Sequence, residues 1–418
     1  MKLLIQKAKI VDKNSPQNGE IVDIFISKGK IEKIANDIAL PGDIKTISSP
    51  NLHVSAGWLD IGCQIGEPGL EYRETLSSAI AAARVGGYTG LAPFPNTVPV
   101  LQHKAALNVL KEAAEEYKIN IYPIAAATTD CKGENITEMY DLHKGGAYAF
   151  TDGLKSITHN AVLLNALNYV KSFDGLIIHF SQDGNLAHGG QMHEGKISTF
   201  LGMKGIPTIA ETIILKRDLA LVQYADSKLC VYGVSSADAV KILKEAKNPK
   251  VSATVPYLNL INDDADLIDF NSNLKVSPPL RSKKDALELL KALKENTIQA
   301  IVSNHYPLDE EAKKLEFPYA KFGASGLETV FATINTFLQD KIDLALLIAK
   351  LSEGPRSILG IPQVEITEGA NAELTLFDPS IEWNFNKTVS ASQNNPYLGQ
   401  SFIGKVLGTV VGNAFHKV

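Results

Sequence analysis

Cysteine, tryptophan and methionine are scarce in this chain, at 3, 2 and 4 of 418 residues. Cys63, Cys131 and Cys230 stand far apart with no C-x-x-C pair. That spacing speaks against a disulfide framework or a cysteine zinc site and makes a reducing cytoplasm the expected compartment. No apolar run reaches the ~18 residues of a membrane span. The opening MKLLIQKAKIVDK is broken by charge too often for a signal peptide and reads as a strand. Positive charge is not in excess: 41 Lys+Arg stand against 46 Asp+Glu, a net charge of −5. Nucleic acid and anionic membrane surfaces are therefore not expected partners. No glycine-rich phosphate or dinucleotide fingerprint follows any apolar run, which counts against a nucleotide-binding doubly wound sheet.

What is present is a large apolar content, 45% of residues, with a mean hydropathy of −0.01, as in a globular protein with a sizeable core. The N-terminal segments LLIQKAKIVD, IVDIFISKGKIEKIA and IKTISS alternate or run β-branched between Asn-Ser-Pro, Lys-Gly-Lys and Pro-Gly-Asp turns. At the other end, Glu373–Asp378 and Lys405–Val411 read as strands, with a hairpin turn at Val411-Gly412-Asn413. The two ends, residues 1–55 and 365–418, are expected to pair into one composite β-sandwich domain. Between them, residues 56–364 change texture. Short continuous apolar runs such as GLAPFPNT, AYAFTDG, GLIIHFSQDG, KLCVYGVSS, VSATVPYLNL and IQAIVSNHYP alternate with helix-spaced segments such as KAALNVLKEAAEEY, Thr212–Ala225 and Lys283–Glu295. Nearly eight such units predict an α/β fold with a parallel sheet, a (β/α)8 barrel of TIM type.

In such a barrel the chemistry sits where strands end. Ser55–Gly69, SAGWLDIGCQIGEPG, is similar to the P-G-x-x-D-x-H-x-H-x-R-E-P-G segment of the amidohydrolase superfamily and of dihydroorotase in particular. GGYTGLAPFPNT resembles that family's G-G-x-T-x-x-x-x-M-P-N-T, AFTDG its A-F-[ST]-D-D-G, and GLIIHFSQDGNL its V-x-x-H-x-E-x-x-x-L. HGGQMHEGKISTFL with GIPTIAE, KLCVYGVSSADAV, VSPPLRSKKDALELL, IVSNHYPLDEEAKK, FGASGLET and GANAELTLFDP extend the resemblance along nearly the whole chain.

The resemblance implies a zinc-dependent cyclic amidohydrolase, and it also shows where this chain departs from one. The six metal-ligand positions of the family fall on Gly62, Gln64, Asp152, His179, Gly233 and Asn304. The substrate-pocket positions fall on Gly66, Asn96, Ser277, Arg281, His305 and Leu308. Zinc takes about four imidazole, thiolate or carboxylate donors. Two glycines offer none, and the amides of Gln64 and Asn304 are weak donors. Asn304 stands where the family's aspartate acts as general base, and an amide has no useful basicity near pH 7. No bound metal is therefore expected; any that bound would rest on Asp152 and His179. Each survivor also has a plainer reading: Asn96 as a turn residue before Pro99, Asp152 as a cap or turn residue, His179 as a packed histidine, and Arg281 with Asp285 as a structural pair.

Three functions follow as expectations. The first is a catalytically inactive dihydroorotase-like protein of pyrimidine biosynthesis. The resemblance implies for it a structural partnership with aspartate transcarbamoylase, self-association, or both. The second is an active dihydroorotase or other cyclic amidohydrolase with a reduced or relocated site built from Asp152, His179 and either His188 or His193. The third is a metal-free receptor for a small anionic ligand, using Asn96, Arg281 and His305. Cys63, at a strand end, is a conceivable replacement nucleophile, although a buried cysteine is usually inert.

Overall fold

The computed structural model describes residues 1–40 and 44–418. The Pro-Gly-Asp turn expected from the sequence lies at 41–43, outside the described residues.

The two chain ends do pair. His53–Ala56 lies between Lys2–Ile10 on one side and Glu373–Asn384 on the other, with Leu374 opposite Ala56 and Leu376 opposite Val54. Ser401–Val411 and Ala414–Lys417 continue the sheet beyond Glu373–Asn384; Ile21–Ser27 and Lys30–Ala35 continue it beyond Lys2–Ile10. Lys45–Ile47 adds an eighth strand alongside Lys2–Ile10. The expected sandwich of both ends is thus realised as one eight-stranded sheet. Leu3, Ile5, Ile24, Val54, Leu374, Leu376 and Val410 form its buried face. The hairpin turn at Gly412-Asn413 is as the sequence suggested, with Val411 paired to Ala414.

The parallel strands are Trp58–Ile61, Tyr88–Ala92, a run containing Asn120–Ile121 and Ile124–Ala126, Ala149–Thr151, Leu176–Phe180, Lys228–Tyr232, Val251–Pro256 and Ala300–Val302. They pair in chain order. Tyr122 N donates to Leu91 O (2.8 Å) and Tyr148 N to Pro123 O (2.9 Å), so the 120–126 run bridges two stretches of ladder. The first and last strands also meet: Ser303 N donates to the Asp60 carboxylate (2.7 Å) and Gln64 N to His305 O (2.9 Å). Trp58–Ile61, Tyr88–Ala92 and Leu176–Phe180 are buried at every position, which explains their continuous apolar sequences.

The intervening helices follow their apolar spacing. Lys104–Tyr117 buries Leu107, Leu110 and Ala113. Ala237–Ala246 buries Ala239, Val240 and Leu243 and is capped by Ser236. Two expectations shift. The helix expected from Thr212 begins at Ile209, and VSATVPYLNL divides into the strand Val251–Pro256 and the short helix Tyr257–Ile261. An apolar run of that length does not distinguish strand from buried helix. Among the described residues, no helix is long and apolar enough to cross a membrane.

Candidate functional site at the strand ends

The residues singled out from the sequence gather at the ends of the parallel strands, yet nearly all of their polar atoms are already engaged. His179, near the end of Leu176–Phe180, accepts a hydrogen bond at Nε2 from Ile157 N (2.8 Å). Its Nδ1 faces the Asp218 carboxylate at 2.8 Å, so the neutral ring carries its proton on Nδ1 and donates it to Asp218. Ser181 Oγ donates to the same carboxylate (2.8 Å). The plain reading of a packed, hydrogen-bonded histidine holds, and no lone pair of the ring is left for a metal.

Asp152 accepts from Thr128 N (2.9 Å) and from Thr128 Oγ1. It is neither a helix cap nor a local turn residue, since the next helix, Asn160–Lys171, follows the cap position His159. It ties the end of its own strand to Thr128, just beyond the neighbouring strand Ile124–Ala126. Burial raises its carboxyl, against the hydrogen bonds from Thr128. Asn96 donates to Asp152 O (3.2 Å), while its Oδ1 is buried without a partner.

The other positions are occupied in ways that suit this chain and not a metal cage. Gly62 has φ +88°, and a Cβ there would lie 2.6 Å from Tyr232 Cε2 and 2.7 Å from Phe94 Cζ. At Gly66 (φ +69°) a Cβ would lie 2.2 Å from Glu74 O. At Gly233 (φ +74°) it would lie 3.3 Å from Pro278, which is held against it by the 277–279 segment. Gln64 is half-buried; its backbone N–H is given to His305 O. Asn304 donates to Ser277 O (3.0 Å), and Leu308 is buried. Zinc chemistry needs a set of strong donors converging on one point. Among the described residues, no group of three or more His, Cys, Asp and Glu side chains is placed to hold a metal ion. The residues do not fit the family's zinc.

Gly153, where the family has a second aspartate, is overlaid in the same way: a Cβ there would lie 1.9 Å from Asn96 Oδ1, with φ +72°. Gly153→Ala is expected to cost at least the ~1–2 kcal/mol of a left-handed side-chain-bearing residue. The purified protein's urea midpoint would fall accordingly, and a fall no larger than that backbone cost would show that Asn96 yields freely.

Two further clusters complete the site. Arg281 donates to Ser235 Oγ (3.1 Å) and Ile206 O (2.8 Å), and it lies 3.3 Å from His193 Nδ1 and 3.7 Å from the Glu211 carboxylate. Asp285, its expected partner, instead caps its own helix through Ser282 and accepts from Ala237 N (2.8 Å), so the Arg281–Asp285 pair is not formed. His193 is pushed down to about 4 by burial and then by the Arg281 cation. The Arg281 cation 3.3 Å from its Nδ1 makes it a poor nucleus for a relocated cationic metal, and His188 is exposed. The second cluster centres on Glu74, fully buried, which accepts from Ala391 N (3.0 Å), His305 Nε2 (3.3 Å) and the hydroxyls of Ser78 and Ser390. His305 Nδ1 accepts from Gly326 N (3.1 Å). Asn96, Arg281 and His305 thus belong to three separate hydrogen-bond clusters, and the anion receptor expected of them is not assembled. Cys63 is buried and its thiol is pushed well above the ordinary range by burial and the neighbouring Asp60, so it is no nucleophile.

Glu74, Asp218, Phe94 and Tyr232 shape this site and were not identified as site residues from the sequence. Only Glu74 left a signal, as an acid between the Glu67-Pro68-Gly69 turn and the helix cap Thr75.

A parallel α/β sheet with polar groups at its strand ends, closed by a sheet from both chain termini, defines the amidohydrolase class of fold. Solved structures agree. L-hydantoinase from Arthrobacter aurescens superposes with a TM-score of 0.85 at 21% identity, covering 99% of this chain and 95% of that one. Dihydropyrimidinase from Brevibacillus agri NCHU1002 gives 0.82 at 22%, with the same coverage. The model of the dihydro-orotase-like family matches residues 53–239. "Dihydroorotase" from Syntrophus aciditrophicus is 37% identical over 419 residues, 98% of each chain. "Dihydroorotase" from Geobacter metallireducens is 34% identical over 421 residues, 99% of this chain and 98% of that one. The chain belongs to the dihydro-orotase-like family.

Proposed function

We propose that this chain serves pyrimidine biosynthesis in the cytoplasm as a dihydroorotase-family protein whose own strand-end site does not run the family's zinc-dependent ring opening. One observation carries this reading: at the family's ligand positions the side chains are absent, as at Gly233, absent and overlaid, as at Gly62, or engaged within the protein, as at His179 and Asp152. Metal-assisted hydrolysis needs an activated water and a base, and Asn304 is an amide bonded to Ser277 O. The eight parallel strands are read as a closed (β/α)8 barrel spanning 56–364, with 1–55 and 365–418 as the accessory domain. A protein that keeps such a fold without its chemistry is suited to a structural role, as a partner of aspartate transcarbamoylase, as a homo-oligomer, or as both.

The names of the relatives favour a second reading, an active dihydroorotase or other cyclic amidohydrolase with an altered metal site, and the comparisons speak for it more than for the first. Zinc analysis of the purified full chain together with a dihydroorotase assay separates the two. The first reading expects far less than one zinc per chain and no dihydroorotate turnover above background. Stoichiometric zinc with turnover establishes the second, and His179→Ala should then abolish the activity. Co-purification with aspartate transcarbamoylase tests the partnership.

A further inference from the structure

We propose that Phe94 and Tyr232 form an aromatic plug in the volume of the family's first metal ligand, so that Gly62 and the two rings are interlocked and a histidine cannot return to position 62 alone. The inference rests on the first reading above and deepens it. Phe94 follows the strand Tyr88–Ala92 and Tyr232 closes Lys228–Tyr232. Both are 1% exposed, and their rings meet edge to face with centroids 4.8 Å apart. Position 62 lies beneath them on the first strand's end, and its hypothetical Cβ would stand 2.6–2.7 Å from carbons of both rings. Ordinary carbon contacts are ~3.5–4.0 Å, so any side chain there must displace aromatic carbons. The rings have little room to yield, because they pack in one buried cluster with Leu59, Ile61, Ala92, Ile178 and Phe180.

Gly153 repeats the arrangement: it is a glycine with positive φ at a position where the family places a metal-reaching side chain, and a Cβ there would lie 1.9 Å from Asn96 Oδ1, whereas at Gly233 the nearest atom, on Pro278, stands 3.3 Å away. Neighbours thus stand in the side-chain space at two of these strand ends, Gly62 and Gly153.

The test is a coupling experiment on full-length, chelator-dialysed protein. Gly62→Ala is introduced into the unmodified chain and into a Phe94→Leu/Tyr232→Leu background. The backbone penalty of an alanine at φ +88° is common to both; the clash with the rings is present only in the first. The drop in thermal midpoint should be at least twice as large in the unmodified chain, and equal drops overturn the proposal. Should the doubly trimmed background fail to fold, the same comparison is made with Tyr232→Leu alone, which leaves Phe94 in place, so that a smaller drop than in the unmodified chain supports the plug and an equal drop overturns it. As a second readout, Gly62→His, Gln64→His, Gly233→His and Asn304→Asp are combined in both backgrounds and dialysed against zinc. Zinc retained only with the rings trimmed supports the plug, and equal retention with the rings intact overturns it. Stoichiometric zinc in the unmodified protein would instead sink the first functional reading. The thermal coupling, measured without metal, stands or falls separately.

Discussion

Replacing Glu74 with alanine is expected to lower the unfolding free energy by about 2–4 kcal/mol, from one buried donor stranded at ~1–3 kcal/mol plus the lost charge-assisted bonds. The carboxylate is the shared acceptor of His305 Nε2, Ala391 N and the Ser78 and Ser390 hydroxyls. The imidazole N–H would be left in the interior with no acceptor, whereas Ala391 is exposed and its N–H can turn to water. The same contacts fix the pH behaviour. Burial raises the carboxyl, but the bonds and charge of His305, with Ser390 and Ser78, together outweigh it and the net shift is downward from 4.5. A lowered acid stabilises the folded chain above its unfolded value and loses that contribution as pH falls through the folded value. Wild-type stability should therefore drop more steeply than that of Glu74→Ala as pH falls below about 4.5. Urea unfolding of the full chain at pH 7.5 and at pH 4 measures both effects. A loss under about 1 kcal/mol at pH 7.5 would show that the segment around Ser390 re-pairs with other groups.

Glu74 also shows where reading the sequence ran out. One of its partners outside the local helix, Ser390, lies 316 positions further along the chain, in a polar stretch with no helix or strand periodicity to place it. Alternation and helix spacing depend on near neighbours, so they located the strands of both ends and the helices Lys104–Tyr117 and Ala237–Ala246. The emptied ligand positions were legible for a related reason: motif spacing fixes which residue stands at the end of which strand. What stands over those residues was not. Gly62, Phe94 and Tyr232 come from three different strand ends, and a glycine's positive φ leaves no mark that tells packing from a turn. Likewise Arg281 could be read beside Asp285 on one loop, but its partners Ser235 and Ile206 O are 46 and 75 positions away.

Asp60→Asn is expected to remove a pH dependence of opposite sign to that of Glu74. Asp60 survives from the family's pattern at the end of the first parallel strand, fully buried, where it accepts from Ser303 N (2.7 Å) and Ser303 Oγ (2.6 Å). Burial raises its carboxyl to about 6 from 3.8, against the two bonds from Ser303. The folded chain thus holds a proton that the unfolded chain has already released between those values. Stability is therefore lost as pH rises from 3.8 to about 6, and the loss is complete above that window. A shift of that size corresponds to about 3 kcal/mol in order of magnitude, with no discount for solvent because the group is buried. The asparagine keeps an acceptor for Ser303 N but lacks the second oxygen that accepts from the Ser303 hydroxyl when Asp60 is ionised, a cost of ~1 kcal/mol at pH values above about 6. Relative to wild type, Asp60→Asn should be about equally stable at pH 4, where both side chains are neutral and each offers one carbonyl acceptor. It should overtake wild type by pH 7.5, where only the wild type carries a buried charge. Chemical unfolding of both proteins across this range gives the difference directly, and a difference that does not change with pH would mean that Asp60 is ionised in the fold throughout.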